Sequence, residues 1–334
     1  QVQPSPPPLL RLPSRKCIKP GRMDFAGFTF LLLVKDGLFV IPISSRQERT
    51  LAKPVEVEGI GFITGSFVTL RFCPAAENTG IVFHRTDLSP KTFIPAHVSN
   101  VTGTNRRTTL GQKPYQVTLV EHVLAALSGL RIDNCIVELN AGEPPGLDGS
   151  AGEFVDALKK AGSVAQNSKK MIYGVESPII VESNGSTLAL HPCEGTGLKM
   201  TYFLDYGNQS PIQKQVHTQN IEPALFSREI SRCRTFILEE EVAILKSQGI
   251  GSRTTAQDLI ILGPRGPIDN PLRFANEPAR HKVLDMLGDL ALLGVDLCGH
   301  VVAYRSGHPL NVELARNLSQ KLKMSMQPTM LRAA

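Results

Sequence analysis

His281, Asp285 and Asp289 recur at four-residue intervals within Glu277 to Leu293, a stretch otherwise filled largely by Val, Leu and Met. At helical periodicity this spacing puts the three on one line of a helix whose remaining surface is apolar, so the polar line is buried with it. A buried carboxylate is costly unless it is paired or bound to a metal. The pattern HxxxD offers an imidazole and a carboxylate one turn apart, the donor pair of a zinc or iron site. A His–Asp hydrogen bond inside a packed core satisfies the same spacing, which leaves both readings open.

A catalytic zinc site usually takes three protein ligands, so a third must come from elsewhere in the chain. The sequence has eight His. His122 stands out because it follows Glu121, and a Glu beside a ligating His is one way to place a base against an activated water. Thr118 and Glu121 also have capping-box spacing, in which Glu121 only satisfies a helix start. His308 lies in the turn Tyr304-Arg305-Ser306-Gly307-His308 before another apolar helix; a His there serves catalysis or an ordinary helix start. His300 reads as structural, and His84, His97, His191 and His217 read as surface residues.

The elements that must carry these groups fall into two successive α+β halves. Short β-type runs punctuated by Gly, Asn and Pro begin near residue 49: PVEVEGIGF, FVTLRF, GIVFHRT and NCIVELN. Helical spacing predicts helices over 118–130 and 151–161, the second with Ser150 and Glu153 at capping-box spacing. The polar, aperiodic stretch 166–170 reads as a linker. Beyond it come strands to about Leu204, then helices near 239–246, over 277–293 and over 310–322. The domains expected are a leader over 1–46, a first α+β domain over 47–167 and a second over 168–334, with no evident sequence repeat.

The formal charge of the 334-residue chain is +6, and residues 1–50 hold eight Lys or Arg against Asp24, Asp36 and Glu48. The remainder is close to neutral, which argues against a nucleic-acid partner. The six Cys include no CxxC pair, which disfavours a disulfide scaffold or a thiolate zinc knot. The apolar run Phe25 to Val34 is shorter than the roughly 20 residues of a spanning helix. The Pro-rich, basic start resembles part of an organelle transit peptide, with a disordered tail or a mispredicted first exon as the alternatives. Residues 25–44 have the composition of a hairpin turning at Asp36-Gly37.

Several long motifs then occur in order: QERTLAKPVEVEGIG, ENTGIVFHRTDL, TLVEHVLAALSGLRIDN, LDGSAGEFVDAL, SRCRTF, RHKVLDMLGDLALLG and YRSGHPLN. Over roughly residues 47 to 323 the chain resembles the zinc-dependent UDP-3-O-acyl-N-acetylglucosamine deacetylases of lipid A biosynthesis. The resemblance implies two α+β domains, each a β-sheet with helices on one face, the helix layers packed together around a central zinc cleft. It makes His122, His281 and Asp285 the Zn2+ ligands, Glu121 the general base and His308 the general acid. Asp289 would orient that acid, Thr235 would hold the oxyanion, and Lys282, Phe236 and Asp148 would contact substrate. The partner implied is the small-molecule acylated UDP-sugar, acted on by a monomer.

The match departs in three places. Phe62-Ile63 stands where the family carries Leu-His near the mouth of the site. Residues 249–258 replace a family segment in the subdomain expected to line the acyl passage, so acyl length does not carry over. The leader has no bacterial counterpart and, with its composition, points to a plant-like homologue sent to mitochondria, with a cytoplasmic location as the alternative. The altered passage also raises a second function, a catalytically impaired homologue that binds the acylated UDP-sugar without turnover.

Overall fold

The alternation that marks the strands also fixes which face of each sheet is buried. In Phe67–Pro74, Val68, Leu70 and Phe72 are buried while Phe67 and Arg71 face outward, as a period of two requires. The helix Gly152–Ala161 covers the inward face, with Phe154 edge-on to Phe72 at 6.1 Å. The structure, a computed structural model, describes residues 40–326. The proposed hairpin turn at Asp36-Gly37 and the basic leader through residue 39 lie outside the described residues.

Two five-stranded sheets dominate. In the first, the strands lie in the order Val55–Ile60, Phe67–Pro74, Cys135–Leu139, Ile81–Arg85, Phe93–Pro95; the second runs Ile179–Ser183, Ser186–His191, Gly299–Tyr304, Leu198–Leu204, Gln215–Asn220. Each half therefore inserts its fifth strand in sequence between its second and third. In both, that strand is parallel to the third and antiparallel to the second. A helix precedes each fifth strand, Glu121–Gly129 in one half and Glu277–Ala291 in the other; a second helix follows it, Gly152–Ala161 and His308–Met326. The α+β character expected from the sequence holds, and the halves share a topology that their residues do not reveal as a repeat.

The two halves are tied by a long ladder. Val40–Leu51 pairs antiparallel with Ser163–Val175 from Val40 opposite Val175 to Leu51 opposite Ser163. One end meets the first half through Thr50 and Asn134, and the other carries Asp296-Leu297 of the second half. The stretch 166–170, read as a linker, is thus the middle of a strand: its polar residues suit a ladder with one face toward water. Residues 40–46, read as the end of the leader, form the start of the same ladder. Arg46, one of the leader's charges by sequence, bonds Asp133 at 2.7 and 2.8 Å and Asp296 at 2.6 and 3.0 Å.

The helix ends agree with the sequence within a few residues, but two caps differ. Ala151 rather than Ser150 is the N-cap of Gly152–Ala161, although the Ser150 hydroxyl still accepts the Gly152 N–H at 3.0 Å from one residue further out. Val120 is the N-cap of Glu121–Gly129, so the Thr118–Glu121 capping box does not form and the Glu121 carboxylate is left for another partner. His84 and His217, expected at the surface, are buried; His84 packs on Phe93 at 5.0 Å and bonds the Thr92 carbonyl. His300 is structural as expected, bonded to Thr201 Oγ1 at 2.8 Å.

Candidate active site

The helices that precede the two fifth strands cross at Gly288. A Cβ there would stand 2.1 Å from the carbonyl oxygen of Glu121, closer than atoms approach, so only glycine permits this crossing. It brings the N-terminal turn of one helix, with Glu121 and His122, against His281, Asp285 and Asp289 on the other.

His122, His281 and Asp285 each offer a ligand atom, and these atoms lie within 4.8 Å of one another. Both imidazole Nε2 atoms face Asp285 Oδ1, His281 at 3.2 Å and His122 at 3.4 Å. His281 Nδ1 lies 3.0 Å from the Cys233 carbonyl, which accepts the Nδ1–H hydrogen bond and leaves the Nε2 lone pair free to ligate, a common outer partner of metal-ligating His. Burial pushes the His122 pKa down toward the neutral, ligating form. Burial works the other way on Asp285, but His281 and Lys282 outweigh it and hold the carboxyl well below its usual range. Lys282 Nζ donates to Asp285 Oδ2 at 2.9 Å and sits 5.4 Å from the centre of the Phe236 ring.

A second group of polar side chains lies beside this cluster. Burial, with the Asp289 and Asp285 charges, raises the Glu121 pKa to about 7. Its Oε2 accepts the Thr108 backbone N–H at 3.1 Å, and its Oε1 faces His308 Nε2 at 3.8 Å. Burial alone would depress His308, but the Asp289 and Glu121 carboxylates raise its pKa to about 9. His308 Nδ1 donates to Asp289 Oδ2 at 2.8 Å, where Asn311 Nδ2 also donates at 2.9 Å. A carboxylate near neutrality facing a protonated imidazole is a matched proton acceptor and donor.

Segment 231–236 forms the adjoining wall. The Arg234 guanidinium and backbone N–H grip the fully buried Glu277 carboxylate at 2.8 to 3.0 Å. This clamps the segment to the start of the Glu277–Ala291 helix, setting the Cys233 carbonyl on His281 and bringing Thr235 and Phe236 to the cavity. The Phe236 ring centre is 6.3 Å from that of His281.

Beyond the cluster opens a cavity of about 1090 Å³. Leu238, Val242, Leu245, Ile261 and Ile268 give it an apolar wall, while Arg107 and Lys246 add cationic lining and Arg106 is paired with Glu241. The two departures in sequence touch each other at its edge: the Gly251 N–H bonds the Phe62 carbonyl at 3.0 Å, and Arg253 bonds the Gly65 carbonyl at 3.1 Å. The buried Glu143 holds that loop through the Ile63 and Thr64 N–H groups and the Thr64 hydroxyl.

Of the residues singled out in the sequence, Glu121, His122, Thr235, Phe236, His281, Lys282, Asp285 and His308 line this one cavity, and Asp289 lies directly behind His308. Asp148 is not brought there. Its carboxylate bonds Arg273 at 2.7 Å and Ser150 at 2.7 and 3.0 Å, engaged by the turn that precedes the Gly152–Ala161 helix. Sequence reading missed Thr108, Asn311, Glu277 and Arg234. Arg234 and Asn311 lie inside the motifs SRCRTF and YRSGHPLN without being singled out there, Glu277 carried the signal of an acid one residue before a proline at a helix start, and Thr108 carried none.

Fold and site together define a class, an α+β hydrolase with its chemistry set between two halves of like topology. The family model for UDP-3-O-acyl N-acetylglycosamine deacetylase matches residues 48–320. The UDP-3-O-acyl-N-acetylglucosamine deacetylase of Saccharophagus degradans is 39% identical over 269 residues, covering 79% of this chain and 88% of the relative. Those of Teredinibacter turnerae and Chlamydia caviae are each 38% identical over 279 residues, covering 82% and 83% of this chain and 91% and 99% of the relatives. The chain belongs to the UDP-3-O-acyl-N-acetylglucosamine deacetylase family.

Proposed function

We propose that this chain is a zinc-dependent amidohydrolase that cleaves the 2-acetamido group of UDP-3-O-acyl-N-acetylglucosamine, releasing acetate and the free amine, a step of lipid A biosynthesis. One observation carries the reading: Glu121 and His308 face each other at 3.8 Å beside the His122, His281 and Asp285 cluster. The donor set fits zinc, with two imidazoles and a carboxylate converging and the outer nitrogen of His281 already committed to a carbonyl. Bound there, zinc supplies Lewis acidity to the amide carbonyl and to the attacking water.

Glu121, one oxygen held by the Thr108 N–H, takes a proton from that water as its oxygen adds to the carbonyl carbon. The Thr235 hydroxyl donates to the developing oxyanion, a contact typically contributing about 3 kcal/mol. His308 gives its Nε2 proton to the leaving amine, and Asp289 holds the imidazolium until then. Lys282 and Phe236 orient the sugar, the cationic lining suits the diphosphate, and the apolar wall suits the acyl chain. The enzyme acts as a monomer, addressed by its leader to mitochondria; a full-length reporter fusion confined to the cytosol would overturn that address.

Acetate release from UDP-3-O-acyl-N-acetylglucosamine by zinc-loaded protein tests the reading, with Glu121→Ala as the inactive control. A binding-only homologue would hold the substrate and release none. Recognition alone requires neither a proton acceptor near neutrality nor a protonated donor opposite it.

A further inference from the structure

We infer that Thr108 is a positioning residue that couples the proton acceptor of one half to the proton donor of the other, an inference that rests on the roles proposed for Glu121 and His308. Thr108 is fully buried and lies outside both crossing helices. Its backbone is exchanged with the start of the first helix: its N–H donates to Glu121 Oε2 at 3.1 Å, and its carbonyl accepts the Val120 N–H at 3.4 Å. Its hydroxyl reaches the other half, donating to Asp289 Oδ1 at 2.6 Å with its oxygen 3.4 Å from His308 Nδ1.

The donor inventory makes this hydroxyl directional. An ionised Asp289 has only acceptors, so the hydroxyl hydrogen is committed to Oδ1, while His308 Nδ1–H and Asn311 Nδ2–H share Oδ2. Three donors fix the rotation of the carboxylate and, through it, the imidazole plane. On the other side the Thr108 N–H fixes one oxygen of Glu121 and leaves the second facing the site. One residue thus sets both ends of the proton path, and its hydroxyl anchors the loop that supplies the N–H. Losing that hydroxyl frees Asp289 Oδ1 in a buried place and loosens Glu121 at the same time.

Thr108→Val keeps the shape and removes the hydroxyl; Thr108→Ser keeps the hydroxyl. We expect kcat of the valine variant to fall roughly tenfold to a hundredfold, the range for a hydrogen bond to a charged group, with KM and zinc content unchanged and most of kcat restored in the serine variant. The His308 Nδ1–H proton resonance, protected from exchange by Asp289 in the parent, should broaden in the valine variant and persist in the serine variant. In an Asp289→Ala background, Thr108→Val should add little, since the hydroxyl acts through that carboxylate. A valine variant with kcat within twofold of the parent, an unchanged resonance, or fully multiplicative effects in the double variant would each overturn the inference. A parent that shows the protected resonance yet releases no acetate would instead sink the proposed function.

Discussion

The two halves share a strand order and a helix before and after the fifth strand, yet they load those helices differently. Glu121–Gly129 carries its ionisable side chains, Glu121 and His122, in its first turn and is apolar below. Glu277–Ala291 carries His281, Lys282, Asp285 and Asp289 along its length. The helices that follow differ in the same sense: His308 opens one, while Gly152–Ala161 opens on Gly152 without an ionisable side chain in the cleft. A common scaffold therefore supplies the crossing, and the chemistry comes from an unequal division, with acceptor and one ligand on one side and donor with the other ligands on the opposite side. The topology would allow either half to serve alone; the residues do not.

The strongest way to break this division is to remove ligands from one side at a time. His122→Ala and Asp285→Asn should each lose bound zinc and at least about a thousandfold in activity, read by metal analysis beside acetate release; retention of zinc by either would show that one half suffices. Glu121→Ala and His308→Ala should keep their zinc and lose roughly a hundredfold to ten-thousandfold in kcat, and equal turnover by both variants and the parent would end the acid–base scheme.

Gly288→Ala tests the crossing itself. Its Cβ would press on the Glu121 carbonyl, with an expected loss of about 1–3 kcal/mol of stability and a fall in kcat from displacement of Glu121. Unchanged melting temperature and activity would mean that the crossing is looser than its geometry implies.

The pH profile sharpens the donor side. His308 is raised from 6.5 to about 9, so kcat should decline as pH passes about 9 and the donor loses its proton. Asp289→Asn removes the main counter-charge and should move that decline to lower pH. The same shift favours the folded state fully below about 6.5 and is lost as pH rises through about 9. The smallest effect belongs to the rear of the molecule: Arg46→Ala removes half-buried ion pairs to Asp133 and Asp296 and should cost about 1–3 kcal/mol of stability with kcat unchanged.

Much of this was legible in the residues, for identifiable reasons. His281, Asp285 and Asp289 stood out because an apolar helix makes a polar line conspicuous, and helix ends followed from periodicity. What escaped depended on contacts between distant segments. Gln166 to Lys170 looked like a linker because a polar strand has no local mark once its partner, Val40–Leu51, lies more than a hundred residues away in sequence. Thr108 has no local mark that sets it apart from its neighbour Thr109, and only the approach of Asp289 gives its hydroxyl a purpose. Asp148 drew notice through its motif, but Arg273 and Ser150 engage it elsewhere.

The ladder of Val40–Leu51 on Ser163–Val175 has a mechanical meaning. Two long paired strands that run from one half into the other act as a splint, so rocking the halves apart would shear a row of backbone hydrogen bonds. The mouth of the cleft is bordered instead by the small appendage of Phe236–Leu238, Glu239–Ser247 and Ile260–Ile268, which stands apart from the splint and is tied across the cavity by the Arg106–Glu241 ion pair.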